Sequence, residues 1–108
     1  MTTAISDRQI PGLVGEVASF VALHGITDAV SGIYDVTCRH FHRSPRIRVE
    51  LYVDHEDASW VSLNFVIEDW PLDWEHTKDI DQAWSRETHP LIPFDWHWRL
   101  GHRIEWRE

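Results

Sequence analysis

Histidine and carboxylate carry the clearest capacity for chemistry in this sequence, because neutral imidazole is the commonest protein ligand for zinc and the chain holds eight His. Spacing sorts them. His40 and His42 lie two apart where a helix is expected to end, so their rings diverge by about 200° around its axis. Asp95 and His97 lie two apart in a stretch expected to be extended, which points both to one side, and His102 returns beside them across a turn at Gly101. Asp95, His97 and His102, with His89 close in sequence, are therefore the candidate zinc ligands of a small metal-dependent enzyme, with a bound water as nucleophile. The turn Asp54-His55-Glu56-Asp57 offers oxygen ligands to a hard cation, but it lacks the spacing and glycine of an EF-hand loop and reads as an acidic hairpin tip.

Other chemistry is excluded or weak. The sequence holds no Gly-x-Ser-x-Gly elbow, no glycine-rich phosphate loop, no His-Glu-x-x-His and no dinucleotide fingerprint. Cys38 is the single cysteine, so it closes no intrachain disulfide, and on a helix it reads as a small core residue. A carboxylate-plus-lysine nuclease would need a lysine at a strand end, whereas Lys78 is the only lysine and falls on a helix.

Charge and tryptophan point toward binding instead. Eighteen acids oppose ten basic residues for a net charge of −8, and the whole excess lies in residues 54–81, where nine acids face Lys78 alone. That balance argues against the phosphate backbone of a nucleic acid and suits a basic protein partner. An acid-free stretch, Arg39, His40, His42, Arg43, Arg46 and Arg48, forms a short positive strip. Seven Trp are more than one small core can fully bury, since each brings about 200 Å² of side-chain surface. Periodicity assigns Trp84, Trp98 and Trp106 to the core. Trp60, Trp70 and Trp74, with Glu68, Asp69, Asp73, Arg46 and Arg48, are the candidate partner-binding residues, because exposed Trp and Arg so often dominate interfaces. The rival reading has the same rings covered by the first helix or the terminal strands.

The elements that must position these residues follow from periodicity. Val14, Val17, Ala18 and Val21 predict a first helix after Pro11, stopped at Gly25. Thr27 or Asp28 caps a second helix with the stripe Ala29, Val30, Ile33, Thr37 and Phe41. Strict alternation over Arg46–Val53 and Val61–Ile67 predicts a hairpin with Val53 opposite Val61, Glu50 opposite Asn64 and Arg46 opposite Glu68. Asp73 caps a third helix running to about Glu87, and Trp96 to Trp106 predicts a terminal strand or a hairpin turning at Gly101. One α+β domain over residues 1–108 results, with an antiparallel sheet of three to four strands and two or three helices on one face.

The run Val49-Glu50-Leu51-Tyr52-Val53-Asp54-His55-Glu56, then Ile80-Asp81-x-x-Trp84 and Arg103-Ile104-Glu105-Trp106-Arg107, resembles small uncharacterised prokaryotic α+β proteins, some encoded beside toxin-like genes. Such relatives often have Pro where this chain has His55. The resemblance implies an antitoxin-like or accessory role, and it supplies no catalytic residues. Together these readings predict a non-enzymatic binding domain for a basic protein or for a second copy of itself. No apolar run reaches the roughly 20 residues of a membrane span and no signal pattern opens the chain, so the expected location is the cytoplasm, with no membrane or direct nucleic-acid contact.

Overall fold

Alternation builds the hairpin as the sequence predicts. In the computed structural model, which describes residues 9–57 and 59–108, β1 (Arg46–Val53) pairs antiparallel with β2 (Val61–Trp70). Arg46 lies opposite Glu68, Glu50 opposite Asn64, Tyr52 opposite Ser62 and Val53 opposite Val61. Ile47 and Val49 on β1, with Leu63, Phe65 and Ile67 on β2, are buried on one face.

Three helices share the core with that face: α1 (Gly15–Leu23), α2 (Thr27–His40) and α3 (Trp74–Thr88). Val21 of α1, Val30 and Ile33 of α2 and Trp84 of α3 join the buried sheet residues in one apolar cluster. Gly25 ends α1, as predicted, through a Schellman turn. Its φ of 65° is left-handed, its N–H meets the Ala22 carbonyl at 3.1 Å, and the Ile26 N–H meets that of Val21 at 3.2 Å. Buried Ile26 then serves as the N-cap of α2 without a side-chain bond, so neither Thr27 nor Asp28 caps it. Asp73 does cap α3, accepting the His76 N–H at 3.0 Å.

Two expectations are corrected. The sheet is mixed, because the last strand, β3 (Leu100–Trp106), lies parallel to β2 in the order β1-β2-β3, with Leu63 opposite Leu100 and Ile67 opposite Ile104. Parallel neighbours need a long crossover, and α3 with two short 3-10 turns, His89–Leu91 and Phe94–Trp96, provides it. Residues 94–99 are thus not extended, and Gly101 lies inside a strand rather than at a hairpin turn.

Second, Trp70 is core and only 1% exposed. Strict alternation would turn Asp69 inward and Trp70 outward. A register irregularity between Ile67 and Trp70, with Asp69 at φ 47°, reverses that order and drives the indole against Phe41, 5.0 Å between ring centroids. Its Nε1–H donates to Thr77 Oγ1 at 2.8 Å, which itself donates to the Asp73 carbonyl. Trp84 repeats the device, donating to Thr37 Oγ1 at 2.8 Å while Thr37 donates to the Ile33 carbonyl. Both buried indoles are therefore satisfied, which burial of a polar N–H requires.

No single helix among the described residues is long and apolar enough to cross a membrane; α1 and α2 reach that length only together, across a 119° bend. The segment before α1 instead lies along the edge of β1, where the Val49 N–H donates to the Pro11 carbonyl at 2.9 Å. Gly12, at φ 87°, makes this approach feasible, since a Cβ there would stand 2.1 Å from the Val49 carbonyl oxygen. Gly12→Ala is expected to lower stability by about 1–3 kcal/mol in urea unfolding, through backbone strain and a displaced edge segment. A change within about 0.5 kcal/mol would contradict this packing.

Candidate functional site

Parallel pairing brings the starts of β2 and β3 to the same end of the sheet, and the residues just before each strand meet there. Trp60 arrives from the hairpin loop, and Phe94 to Arg99 arrive from the crossover. Trp96, 7% exposed, is the anchor, with Phe20 of α1 and His24, the residue that follows that helix, edge-on to its ring at 5.7 and 5.3 Å. The Arg99 guanidinium lies over the faces of Trp96, at 4.3 Å, and Trp60, at 5.5 Å. Its Nε–H donates to the Val61 carbonyl at 2.8 Å, and its own carbonyl accepts the Leu63 N–H at 2.7 Å. Arg99 thereby ties both strand starts and two indoles into one rigid unit.

In front of that unit opens a groove of about 550 Å³ walled by Trp60, Phe94 and Trp98, with His89, Asp95, His97 and Arg99 between them. Phe94 is 90% exposed, Trp98 74% and Trp60 41%, so three aromatic rings from two separate segments are left uncovered. The His89 and His97 rings meet edge-to-face at 4.4 Å, and His97 Nε2 lies 3.0 Å from the Ile92 carbonyl. Asp95 is the carboxylate among the groove's lining residues, and the acidic hairpin loop adjoins the groove through the backbone of Trp60. Trp60 is bonded to that loop through its N–H to the Asp57 carbonyl and its carbonyl to the Asp54 N–H. Two of the loop's acids also shape it. Asp54 Oδ1 accepts the Glu56 and Asp57 N–H groups, and the Ser59 hydroxyl and amide hold the Asp57 carboxyl below its ordinary pKa.

The residues expected to act are redistributed. Asp95, His97 and His89 line this groove beside Trp60, whereas His102 stands on the core face of β3, its Nε2 2.5 Å from Asp81 and its ring 4.2 Å from that of Trp84. Among the described residues no three His, Cys, Asp or Glu are grouped to hold a metal ion. The candidate partner surface also divides. Trp70 is buried, Asp73 is a helix cap, and Trp74, 54% exposed, lies at the opposite end of β2 from Trp60. Trp98 and Trp106, expected in the core, are 74% and 43% exposed. Periodicity does not mark Phe94 or Arg99 as site residues, because their roles come from the 3-10 turn and from the direction of β3.

The helix-free face of the sheet is occupied by its own charges. Arg48 meets Glu68 at 2.6 Å, Glu50 at 3.1 Å and Glu105 at 3.5 Å, while Arg103 meets Glu50 and Glu105 at 2.9 Å each. Beneath this lattice Val66 is fully buried. Burial opposes ionisation of Glu50, but hydrogen bonds from Arg103 and Arg48 outweigh it and hold its carboxyl below the usual range. Arg48 and Glu68 are thus committed to each other, and Arg46 remains exposed at the strand start. Arg39 and His40 of the positive strip are likewise engaged by Glu87, at 2.8 and 2.6 Å.

No protein-family model, no curated protein and no solved structure matches this chain.

His102 sets a pH dependence of the fold. Burial pulls its imidazole pKa below the ordinary 6.5, outweighing the charge and hydrogen bond of Asp81. A depressed pKa means that the unfolded chain binds more protons than the folded one, so stability is full above about pH 6.5 and falls as pH drops through the folded value. Urea midpoints are expected to decrease between pH 7.5 and 5.5, and His102→Gln is expected to flatten that decrease. An unchanged slope in the variant would assign the acid sensitivity elsewhere.

Proposed function

We propose that the protein is a small non-enzymatic binding domain that engages a partner protein with a basic surface, and that the aromatic groove is its contact site. The observation that carries this reading is the exposure of Phe94 and Trp98 beside Trp60 on a framework fixed by Arg99. Covering such a ring is worth about 1.5–3 kcal/mol, and a rigid aromatic patch loses little entropy on binding. Charge supports the class of partner. The loop beside Trp60 carries Asp54, Glu56 and Asp57, Asp95 lines the groove, and the chain as a whole carries −8. The resemblance to proteins encoded beside toxin-like genes supports an antitoxin-like or accessory form of this role, in which acidic residues of segment 54–81 cover a basic surface and compete with its substrate.

The test is native mass spectrometry of tagged protein recovered from its host cells at low salt, in three versions: unmodified, Phe94→Ala/Trp98→Ala, and Trp74→Ala as a control at the far end of β2. The expected result is a stoichiometric complex with a basic protein, weakened about tenfold or more by the groove variant and unaffected by the control. A complex indifferent to the groove variant, or a chain recovered alone with one zinc, would contradict the proposal.

A further inference from the structure

The two edges of the sheet are treated differently. Along β1 runs the segment before α1, whose Pro11 carbonyl accepts the Val49 N–H at 2.9 Å. Along the outer side of β3, among the described residues, there is no further strand and no backbone hydrogen bond. The parallel ladder fixes which groups that side presents. The Leu63 N–H donates to the Arg99 carbonyl at 2.7 Å and the Arg107 N–H to the Trp70 carbonyl at 2.9 Å, so Gly101, Arg103 and Glu105, which share that parity, turn their backbone groups toward β2. His102, Ile104 and Trp106 turn theirs outward, and such a row of unpaired groups is a template for another strand.

The side chains of the edge select the strand that fits. In an antiparallel pairing of β3 with itself, hydrogen bonds are exchanged only where an outward residue faces an outward residue, so the two-fold axis falls at a residue rather than between two. Charge then chooses the residue. An axis at Arg103 sets two guanidinium groups against each other, and one at Glu105 does the same with two carboxylates, both destabilising. An axis at His102 faces Arg103 with Gly101 and carries Glu105 and Trp106 past the start of the other strand at Leu100. An axis at Ile104 instead sets Arg103 opposite the partner's Glu105 twice, Ile104 opposite Ile104, and His102 opposite Trp106. Arg103 and Glu105 have side chains 47% and 39% exposed, so both remain open to a second partner beyond their own 2.9 Å contact. Residues 82–108 hold four acids and four Arg, which places this edge outside the chain's acidic excess.

We infer that β3 pairs antiparallel with β3 of a second copy of this chain about an axis at Ile104, joining two three-stranded sheets into one. About six backbone hydrogen bonds close the edge, and two ion pairs fix its register. The indole of Trp106, 43% exposed in the single chain, comes to lie beside the partner's His102. The inference is independent of the partner-binding reading above, because the aromatic grooves lie at the starts of the two β3 strands and so stand at opposite ends of the joined sheet.

Sedimentation equilibrium of the full chain, alone and as Arg103→Glu and Glu105→Arg, tests this pairing. The unmodified chain is expected to approach twice the chain mass as concentration rises, and each single reversal to weaken self-association about tenfold or more by placing like charges opposite at two points. Mixed one to one, the two variants are expected to recover it, because the reversed charges then face one another and so do the native ones. A chain that stays single at every concentration would overturn the inference, as would a dimer indifferent to both reversals. Loss with Arg103→Glu but not with Glu105→Arg would overturn the axis at Ile104. Where a reversal unfolds the chain, the unmodified protein decides. A mixture of isotopically labelled and unlabelled chains is expected to show a close Hα–Hα contact between Arg103 and the partner's Glu105, and a dimer without that contact would overturn the pairing.

Discussion

The structure depends on the direction of β3 relative to β2. Hydrogen bonding to β2 is available on two edges, and β1 takes one of them through a short loop. The second neighbour arrives after α3, and a helix-bearing connection allows it to start from the same end of the sheet as β2 itself. Two strand starts then lie side by side, and the residues that precede them, Trp60 on one side and Trp96 to Arg99 on the other, are forced into contact. An antiparallel β3 would begin beside Trp70 and leave Trp60 and Arg99 at opposite ends of β2. Strand direction is therefore the origin of the groove.

Its price is polarity, since the helices cover one face of the three-stranded sheet and leave the other to water. The helix-free face is closed by Arg48, Arg103 and three glutamates lying over Val66 rather than by another layer. These pairs are partly exposed, so their individual contributions to stability are small, and the aliphatic stems that exclude water from Val66 matter as much as the charges. On the covered face the large indoles of Trp70 and Trp84 fill space that small side chains would leave open. Threonine hydroxyls on α3 and α2 accept their N–H groups, so bulk is gained without an unsatisfied donor. Those core Trp residues and the exposed ones in the groove thus serve different ends, although composition alone does not separate them.

Features set by neighbouring residues are legible in the sequence, and features set by the whole chain are not. The hairpin register, the Asp73 cap and the Gly25 stop each depend on neighbouring residues or on simple alternation, and each stands as expected. The direction of β3 is a property of the whole chain. A helix between two strands is itself a signal for a parallel crossover, and it outweighs the alternation at Trp96, Trp98 and Leu100 that suggested a longer strand. The candidate site shows the same division. Trp60 stands out as an exposed ring and Asp95 and His97 as candidate ligands, and the three prove to be neighbours, whereas His102 is separated from them because it sits inside β3, whose direction local alternation does not set. Trp70 failed differently, through one left-handed residue, Asp69, that exchanges the inner and outer positions of the strand end.

A nuclear Overhauser experiment on isotopically labelled protein tests the central claim most directly, because the two strand directions leave different short proton distances. Parallel pairing predicts contacts between the Trp60 ring and the Arg99 side chain, together with amide contacts linking Leu63 to Arg99 and Leu100. It predicts no close Hα–Hα pairs between β2 and β3. A ladder of strong Hα–Hα contacts between those strands, with Trp60 remote from Arg99, would contradict the account and remove the groove with it.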